Sequence, residues 1–279
     1  MGGIPAIGVC SWSLKVTSVP ELQKLMEKVG AAVTQVALGD PNHASWKEGD
    51  GIIRALKASH LDITATMIGY PGEDYTTPET IRRTGGFGDP ATRVERLAMF
   101  RRAVDMTAEL GLKILASHAG FIPRAGDPAR GPFLDCLYEA ADYALSKDVI
   151  FAMETGQESA ELLRRTIDEI AVDSLKVNYD PANMILYDMG DPIHAIEILG
   201  PDIVHVHVKD ARAPLAEGAW GEEVPLGEGQ VGMQEFLEAL AAADYGGPLV
   251  IEREVGEQPQ RIEDIRNGVH LIRKLITGA

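Results

Sequence analysis

The chain has 279 residues, of which 45% are hydrophobic and 24% are charged, and its formal net charge is −16. The apolar content is sufficient for one large core, and so acidic a chain without a run of Lys or Arg is not expected to bind nucleic acid or an anionic membrane. The two cysteines, Cys10 and Cys136, form no CxxC pair, and the first residues do not resemble a signal peptide, so a reduced, cytoplasmic setting is expected.

Short β-rich runs alternate with longer amphipathic runs from end to end of the chain. The predicted strands cover residues 4–10, 34–38, 62–68, 113–118, 149–154, 175–179, 203–208 and 248–253. The predicted helices cover residues 20–29, 51–59, 91–110, 133–146, 159–170, 192–199, 233–242 and 260–276. Eight such units without a linker or a change in composition predict an α/β fold, a single (β/α)8 TIM barrel domain over residues 1–279. An open doubly wound sheet with an added domain is the alternative.

Two of the predicted connections are long. Residues 69–90 follow the third strand, and residues 210–232 follow the seventh. Both lie on the carboxyl side of their strands, where barrel enzymes build active sites. We therefore expect them to form lids or substrate walls, with merely tolerated insertions as the alternative.

Four consecutive strands end in residue types that bind metals. Glu154, Asp180 and Glu252 each follow an apolar run, and the carboxyl ends of parallel strands meet at one mouth. A carboxylate in such a place costs free energy unless a cation compensates it. Salt bridges to Lys209 or Arg253 could neutralise one carboxylate, but three are more readily neutralised by a divalent metal ion.

The seventh strand presents His205, His207 and Lys209 on one face and valines on the other. His207 is favoured as a metal ligand over His205, which lies two residues deeper and is expected to belong to the core or to support the ligand. Three carboxylate oxygens and one imidazole favour Mn²⁺ or Mg²⁺ over a structural zinc, with Co²⁺ and catalytic Zn²⁺ as alternatives.

Five segments carry a resemblance that extends over nearly the whole chain in strand order. They are METGQE at 153–158, NYDPAN at 178–183, HVHVKD at 205–210, PLGEG at 225–229 and IERE at 251–254. Together they resemble the sugar phosphate isomerase/epimerase family. That family belongs to the xylose-isomerase-like TIM barrel superfamily, alongside ketose 3-epimerases, inosose dehydratases and endonuclease IV.

The resemblance implies a role for individual residues. The positions that match the metal ligands of the epimerases are Glu154, Asp180, His207 and Glu252, for one divalent ion with Mn²⁺ favoured, and Glu154 and Glu252 also match the acid/base pair. The positions that match substrate contacts or face the mouth are His118, Glu158, Asn183, Lys209 and Arg212. Asn183 departs from the pattern, because ketose 3-epimerases often carry histidine there.

The chemistry that follows is proton abstraction next to a carbonyl, through a metal-stabilised enediolate of a ketose or related polyol. A dehydratase or lyase that eliminates from an inosose or 3-keto-glycoside is the main alternative. A nuclease like endonuclease IV and a non-catalytic sugar-binding barrel are the others.

The substrate and the assembly state are predicted only in outline. No glycine-rich phosphate loop follows strands seven and eight, which favours a free sugar or polyol over a sugar phosphate. Candidate apolar walls of the site are Trp12, Trp46, Tyr70 and Trp220. Relatives are often dimers or tetramers, so a homo-oligomer is an expectation by analogy.

Overall fold

The computed structural model describes residues 4–38, 46–216 and 218–278. Within them, eight parallel strands close into a barrel in sequence order, with the last strand paired to the first. These strands are β1 (Ile7–Cys10), β2 (Val33–Ala37), β3 (Ile63–Met67), β4 (Ile114–Ser117), β5 (Ile150–Glu154), β6 (Leu175–Tyr179), β7 (Ile203–Val208) and β10 (Leu249–Ile251). The closed barrel confirms the predicted fold class and rules out the open sheet. Gly39 and Asp40, the two residues that follow the second predicted strand, lie outside the described residues.

Helices surround the barrel. They are α1 (Val19–Val29), α2 (Ile52–Ala58), α3 (Pro78–Thr84), α4 (Arg93–Glu109), α5 (Arg130–Ser146), α6 (Ala160–Ile170), α7 (Pro181–Leu186), α8 (Pro192–Leu199), α9 (Met233–Ala242) and α10 (Gln258–Thr277). Two of them begin at a serine N-cap that can be recognised in the sequence. The side chains of Ser18 and Ser159 accept backbone N–H groups at the starts of α1 and α6. Among the described helices, none is both long and apolar enough to cross a bilayer.

The short helix α7 was not predicted, and it positions one of the candidate ligands. Its cap is Asp180, whose Oδ1 accepts a hydrogen bond from the Asn183 N–H at 2.9 Å, and Pro181 occupies the first helical position. Six residues are too few to show a helical period in the sequence. This hydrogen bond fixes the Asp180 carboxylate through Oδ1, and the second oxygen, Oδ2, takes no part in the cap.

The connection after β7 forms a separate antiparallel hairpin, β8 (Asp210–Arg212) and β9 (Glu222–Val224). The Asp210 carboxylate accepts hydrogen bonds from the N–H groups of Gly227, Gly229 and Val231 at 2.9 to 3.1 Å. These bonds satisfy buried backbone donors and fold the connection back on itself.

A buried ion network joins the hairpin to the last strand of the barrel. The Arg253 guanidinium lies 2.6 Å from Glu223 Oε1 and 3.0 Å from Asp264 Oδ2, and all three residues are buried. Glu223 Oε1 also accepts the Glu254 N–H at 2.9 Å. A paired and hydrogen-bonded charge can be buried without a large penalty, so the hairpin is held beside the mouth of the barrel.

Candidate metal centre

Four side chains from neighbouring strand ends meet at the carboxyl mouth of the barrel. Glu154 is the last residue of β5, His207 belongs to β7, and Asp180 and Glu252 directly follow β6 and β10. One ligand atom of each lies within 4.8 Å of the others, and no more than 4% of any of the four residues is exposed. The structure thus brings together the whole set that was expected to bind metal.

His207 occupies the centre of this set. Its Nδ1 lies 3.1 Å from Glu154 Oε1, 3.4 Å from Glu252 Oε2 and 3.8 Å from Asp180 Oδ2. Its Nε2 lies 2.6 Å from Gln35 Oε1 on β2. A hydrogen bond at one ring nitrogen fixes the orientation of the other, so Gln35 directs Nδ1 towards the carboxylates.

The donor set fits a divalent cation. Asp180 Oδ2 is buried and has no hydrogen-bond partner among the described residues. Burial raises the pKa of Asp180 to about 6, although nearby Lys209 opposes the shift. An unpartnered buried carboxylate oxygen costs free energy that a cation would recover. Three carboxylate oxygens with one imidazole suit a hard or borderline ion such as Mn²⁺ or Mg²⁺.

A second grouping of potential ligands overlaps the first, and it contains Cys10 with His207 and Glu252. The Cys10 thiol is fully buried, which raises its pKa to about 12 despite the opposing effect of His207. A metal binds the thiolate rather than the thiol, so the grouping with Cys10 is the poorer site. No role was predicted for Cys10, although the first predicted strand ends at this residue.

His205 lies one layer below His207 and does not belong to either group of potential ligands. Its Nδ1 lies 2.7 Å from Asn178 Oδ1, and the Asn178 amide nitrogen lies 3.3 Å from His207 Nε2. Burial and the neighbouring His207 together hold the pKa of His205 well below its ordinary value. A neutral His205 therefore supports His207 through Asn178, in the place that was expected for it.

Lys209 places its ammonium group beside the acidic cluster. Its Nζ lies 2.7 Å from Glu254 Oε2 and 2.9 Å from Glu252 Oε2. Burial acts to lower the pKa of Lys209, but the Glu252 and Glu254 carboxylates hold it well above its ordinary value. Lys209 is therefore charged and neutralises part of the acidic cluster.

Glu154 and Glu252 have different surroundings. Both oxygens of Glu252 accept hydrogen bonds, one from Trp12 Nε1 at 2.7 Å and the other from Lys209 at 2.9 Å. Glu154 Oε1 accepts a hydrogen bond from Asn183 Nδ2 at 3.1 Å. Glu154 Oε2 accepts none from the described residues, although His118 Nε2 lies 3.2 Å away.

A cavity of about 470 Å³, here called the metal-side cavity, opens over the cluster. His118, Asn183 and Lys209 line it, as expected of substrate contacts. Of the four aromatic residues considered as walls, Trp12 and Trp220 also line it. Trp46 and Tyr70 are buried packing residues instead.

Two of the predicted substrate contacts lie elsewhere. Arg212 is on the hairpin, where it binds the Glu222 carboxylate and the Glu228 carbonyl oxygen. Glu158 is only 5% exposed and lines a different cavity. In this conformation neither is among the residues that line the metal-side cavity, and their roles towards substrate stay predictions.

Burial alone raises the pKa of Glu158 to about 8. Between pH 4.5 and pH 8 the unfolded chain ionises Glu158 while the folded protein keeps it protonated, so this residue lowers stability as the pH rises. Glu158→Gln is expected to cancel this effect. The free energy of unfolding of the variant, relative to that of wild type, should therefore rise by about 2 kcal/mol when the pH is raised from 6 to 8. Denaturant unfolding at the two pH values measures this. The control is Glu263→Gln on α10, at an exposed position, and an equal gain there would contradict the expectation.

Three contacts of the site were not predicted from the sequence. Gln35 binds His207, Trp12 binds Glu252 and Glu254 binds Lys209. Gln35 did carry a weak signal, because a long polar side chain in the middle of a buried strand needs a buried partner. Trp12 was noted only as an apolar wall, and its indole N–H is what matters here.

Comparison with known proteins agrees with the barrel fold of the structure. A family model described as "Xylose isomerase-like TIM barrel" matches residues 21–275. An L-ribulose-5-phosphate 3-epimerase of Salmonella paratyphi A is 29% identical over 185 residues. That match covers 62% of this chain and 62% of the epimerase, which is less than two thirds of its length.

Two solved structures are similar over nearly the whole chain. A xylose isomerase domain protein from Planctomyces limnophilus has a TM-score of 0.88 and 29% identity, covering 99% of this chain and 100% of its own. A 3-keto-D-glucoside 4-epimerase from E. coli has a TM-score of 0.71 and 19% identity, covering 97% of this chain and 99% of its own. The second likeness concerns the fold alone.

Proposed function

Because this chain belongs to the xylose isomerase-like TIM barrel family, we propose that it is a divalent-metal-dependent sugar isomerase or epimerase. The substrate is a ketose or a related polyol, and the reaction removes a proton from the carbon next to a carbonyl. Glu154, Asp180, His207 and Glu252 hold the ion, and Glu154 and Glu252 are the acid/base pair. The 29% identical relative, an epimerase by name, supports this class of reaction.

The observation that carries the proposal is the convergence of two glutamates on one point. Glu154 Oε1 and Glu252 Oε2 lie 3.1 and 3.4 Å from the same His207 nitrogen, yet they come from separate strand ends, β5 and β10. A substrate bound above His207 would be within reach of both carboxylates, and we infer that they face opposite sides of it. Two carboxylates on opposite faces of one carbon are what inversion of a stereocentre needs.

The bound ion would polarise the carbonyl and stabilise negative charge on the neighbouring oxygens. Glu154 is the group that takes the proton, because its Oε2 accepts no hydrogen bond from the described residues. Glu252 is held by Trp12 and Lys209, which orient it for delivery of a proton from the other side. Asn183 fixes Glu154 through Oε1 and leaves Oε2 available.

Deuterium incorporation tests the proposal. The protein is freed of metal, reloaded with Mn²⁺ or Mg²⁺, and incubated in D₂O with a panel of ketoses, ketose phosphates, inososes and 3-keto-glycosides. We expect deuterium at a carbon next to the carbonyl of at least one substrate, only with metal present, together with an epimer or isomer. A dehydrated or cleaved product would place the same proton removal in an elimination reaction.

One pattern of results would contradict the proposal. No deuterium incorporation across the panel, together with metal-dependent cleavage of abasic DNA, would identify a nuclease instead. Sugar binding without any exchange in the metal-loaded protein would identify a non-catalytic barrel.

A further inference from the structure

A second cavity of about 960 Å³, here called the arginine cavity, lies beside the metal-side cavity. Phe121 lines the arginine cavity, and its ring is 5.8 Å from the ring of Tyr187, which lines the metal-side cavity. The β5–α6 connection links the two, since Glu154 faces one cavity and Gln157 and Glu158 line the other.

Four arginines from separate segments line the arginine cavity. Arg82 belongs to α3, Arg124 precedes α5, Arg130 begins α5 and Arg165 belongs to α6. This concentration of positive charge stands out in a chain with a net charge of −16. Arginines gathered from distant parts of a sequence present several planar donors to one space, which suits a phosphoryl group.

Most of these arginines lack an acidic partner. Among the described residues, no carboxylate oxygen lies within 4.0 Å of the guanidinium nitrogens of Arg82, Arg124 or Arg165, whereas Arg130 pairs with Glu169 at 2.5 Å. Arg82 instead lies over the Phe121 ring at 4.3 Å. The free donors of three guanidinium groups thus remain available to an anion.

Two buried polar groups in the wall of this cavity also lack partners. Gln157 and Glu158 are 2% and 5% exposed, and neither Gln157 Nε2 nor Glu158 Oε1 has a hydrogen-bond partner among the described residues. Such groups cost free energy unless a ligand or water satisfies them. Gln157 Nε2 is a donor, and the carboxyl group of Glu158 is one too while it is protonated.

The acidic groups at the arginine cavity do not cancel its charge. Burial raises the pKa of Glu158 to about 8, which keeps this carboxyl neutral near pH 7. Asp127 and Glu169 are the other acidic residues that line the cavity, with Glu169 held by Arg130 and Asp127 Oδ1 by the Ala129 N–H. Four guanidinium groups therefore face two carboxylates.

We propose that the arginine cavity binds a phosphate-type dianion, with Arg82, Arg124 and Arg165 as the charged contacts and Gln157 and Glu158 as buried donors. The dianion is the phosphoryl end of a small molecule. It comes either from the substrate of the proposed reaction, in which case this part rests on that function, or from a separate phosphorylated ligand. The sequence favoured a free sugar because no phosphate loop follows strands seven and eight. The arginine cavity lies after strands three to five, which that prediction did not take into account.

Titration with inorganic phosphate tests the site without any substrate. Isothermal calorimetry at pH 7 and low salt compares Mg²⁺-loaded wild type with an Arg124→Gln/Arg165→Gln double variant. The control is Arg266→Gln, at an exposed position on α10. We expect saturable binding that weakens about tenfold or more in the double variant, because two charge-assisted contacts are lost, and that is unchanged in the control. Phosphate bound directly at the metal centre would give the same signal in wild type and variant.

Equal affinity in wild type and double variant, or no saturation with phosphate, would overturn the site. This outcome is independent of turnover, so it is distinct from failure of the proposed function. Steady-state rates then identify the source of the dianion. If kcat/KM falls in the double variant for a ketose phosphate but not for the free ketose, the substrate supplies the phosphoryl group. If phosphate binding weakens and both rates stay unchanged, a separate phosphorylated ligand does.

Discussion

Replacing either Glu154 or Glu252 with glutamine is expected to lower the rate of isomer or epimer formation about a thousandfold, within the range of general acid–base catalysis. Glutamine keeps the shape and one carbonyl oxygen but cannot take up a proton. The two carboxylates reach the same His207 nitrogen from different strand ends, β5 and β10, so each is expected to serve one face of the substrate.

The two variants are expected to differ in their residual deuterium exchange. If the reaction is an epimerisation with two bases, Glu154→Gln exchanges the proton of one epimer only, and Glu252→Gln exchanges that of the other. NMR of each purified epimer in D₂O measures this, with the metal content of each variant determined in parallel. Glu235→Gln, at an exposed position on α9, is the matched control. A metal-loaded variant at either glutamate that keeps wild-type turnover would remove that residue from the acid/base pair.

Asp180→Asn is expected to abolish stabilisation by metal. With a free metal concentration a hundred times the dissociation constant, binding stabilises the folded state by about 2.7 kcal/mol, which corresponds to a rise in the thermal midpoint of roughly 5–10 °C for a chain of this size. Asparagine can keep the Oδ1 bond that caps α7 but replaces Oδ2, the oxygen without a hydrogen-bond partner. The wild-type midpoint should therefore rise with Mn²⁺ and the variant midpoint should not.

Without metal, Asp180→Asn should leave the thermal midpoint unchanged or raise it. It removes a buried carboxylate from a cluster that contains Glu154 and Glu252 and in which Lys209 supplies one charge. An uncompensated buried carboxylate is destabilising, so the metal-free variant should melt at or above the wild-type temperature. Calorimetry with EDTA and with Mn²⁺ measures both effects, with Asp173→Asn at an exposed position as the control. A variant that still gains stability from Mn²⁺ would exclude Asp180 from the metal site.

The barrel and the four residues of its centre could be predicted from the sequence for the same reason. A parallel strand buried on both faces reads as an apolar run, and its carboxyl end is fixed by where that run stops. Glu154, Asp180 and Glu252 stand at such ends, and His207 stands near another. In a closed barrel all strand ends meet, so knowing the ends is enough to know that these side chains are neighbours.

The contacts that tune the centre depend on tertiary structure alone. Trp12 binds Glu252 from 240 positions away, and Gln35 binds His207 from 172 positions away. Both contacts exist because β10 closes against β1, with Val9 level with Ile251. The sequence does not show which residues pair, because each pair is selected by the register of barrel closure.

The position of Glu158 was also decided by the tertiary structure. It lies four residues after Glu154, but the chain between them passes through Gly156 with a φ of +129°, and a Cβ there would lie 2.4 Å from Asn183 Cβ. Only glycine permits this close packing. With the backbone in this conformation, Glu154 lines the metal-side cavity and Glu158 lines the arginine cavity. The sequence determined which side chains gather at the mouth, whereas backbone conformation and packing decided which of two cavities each one faces.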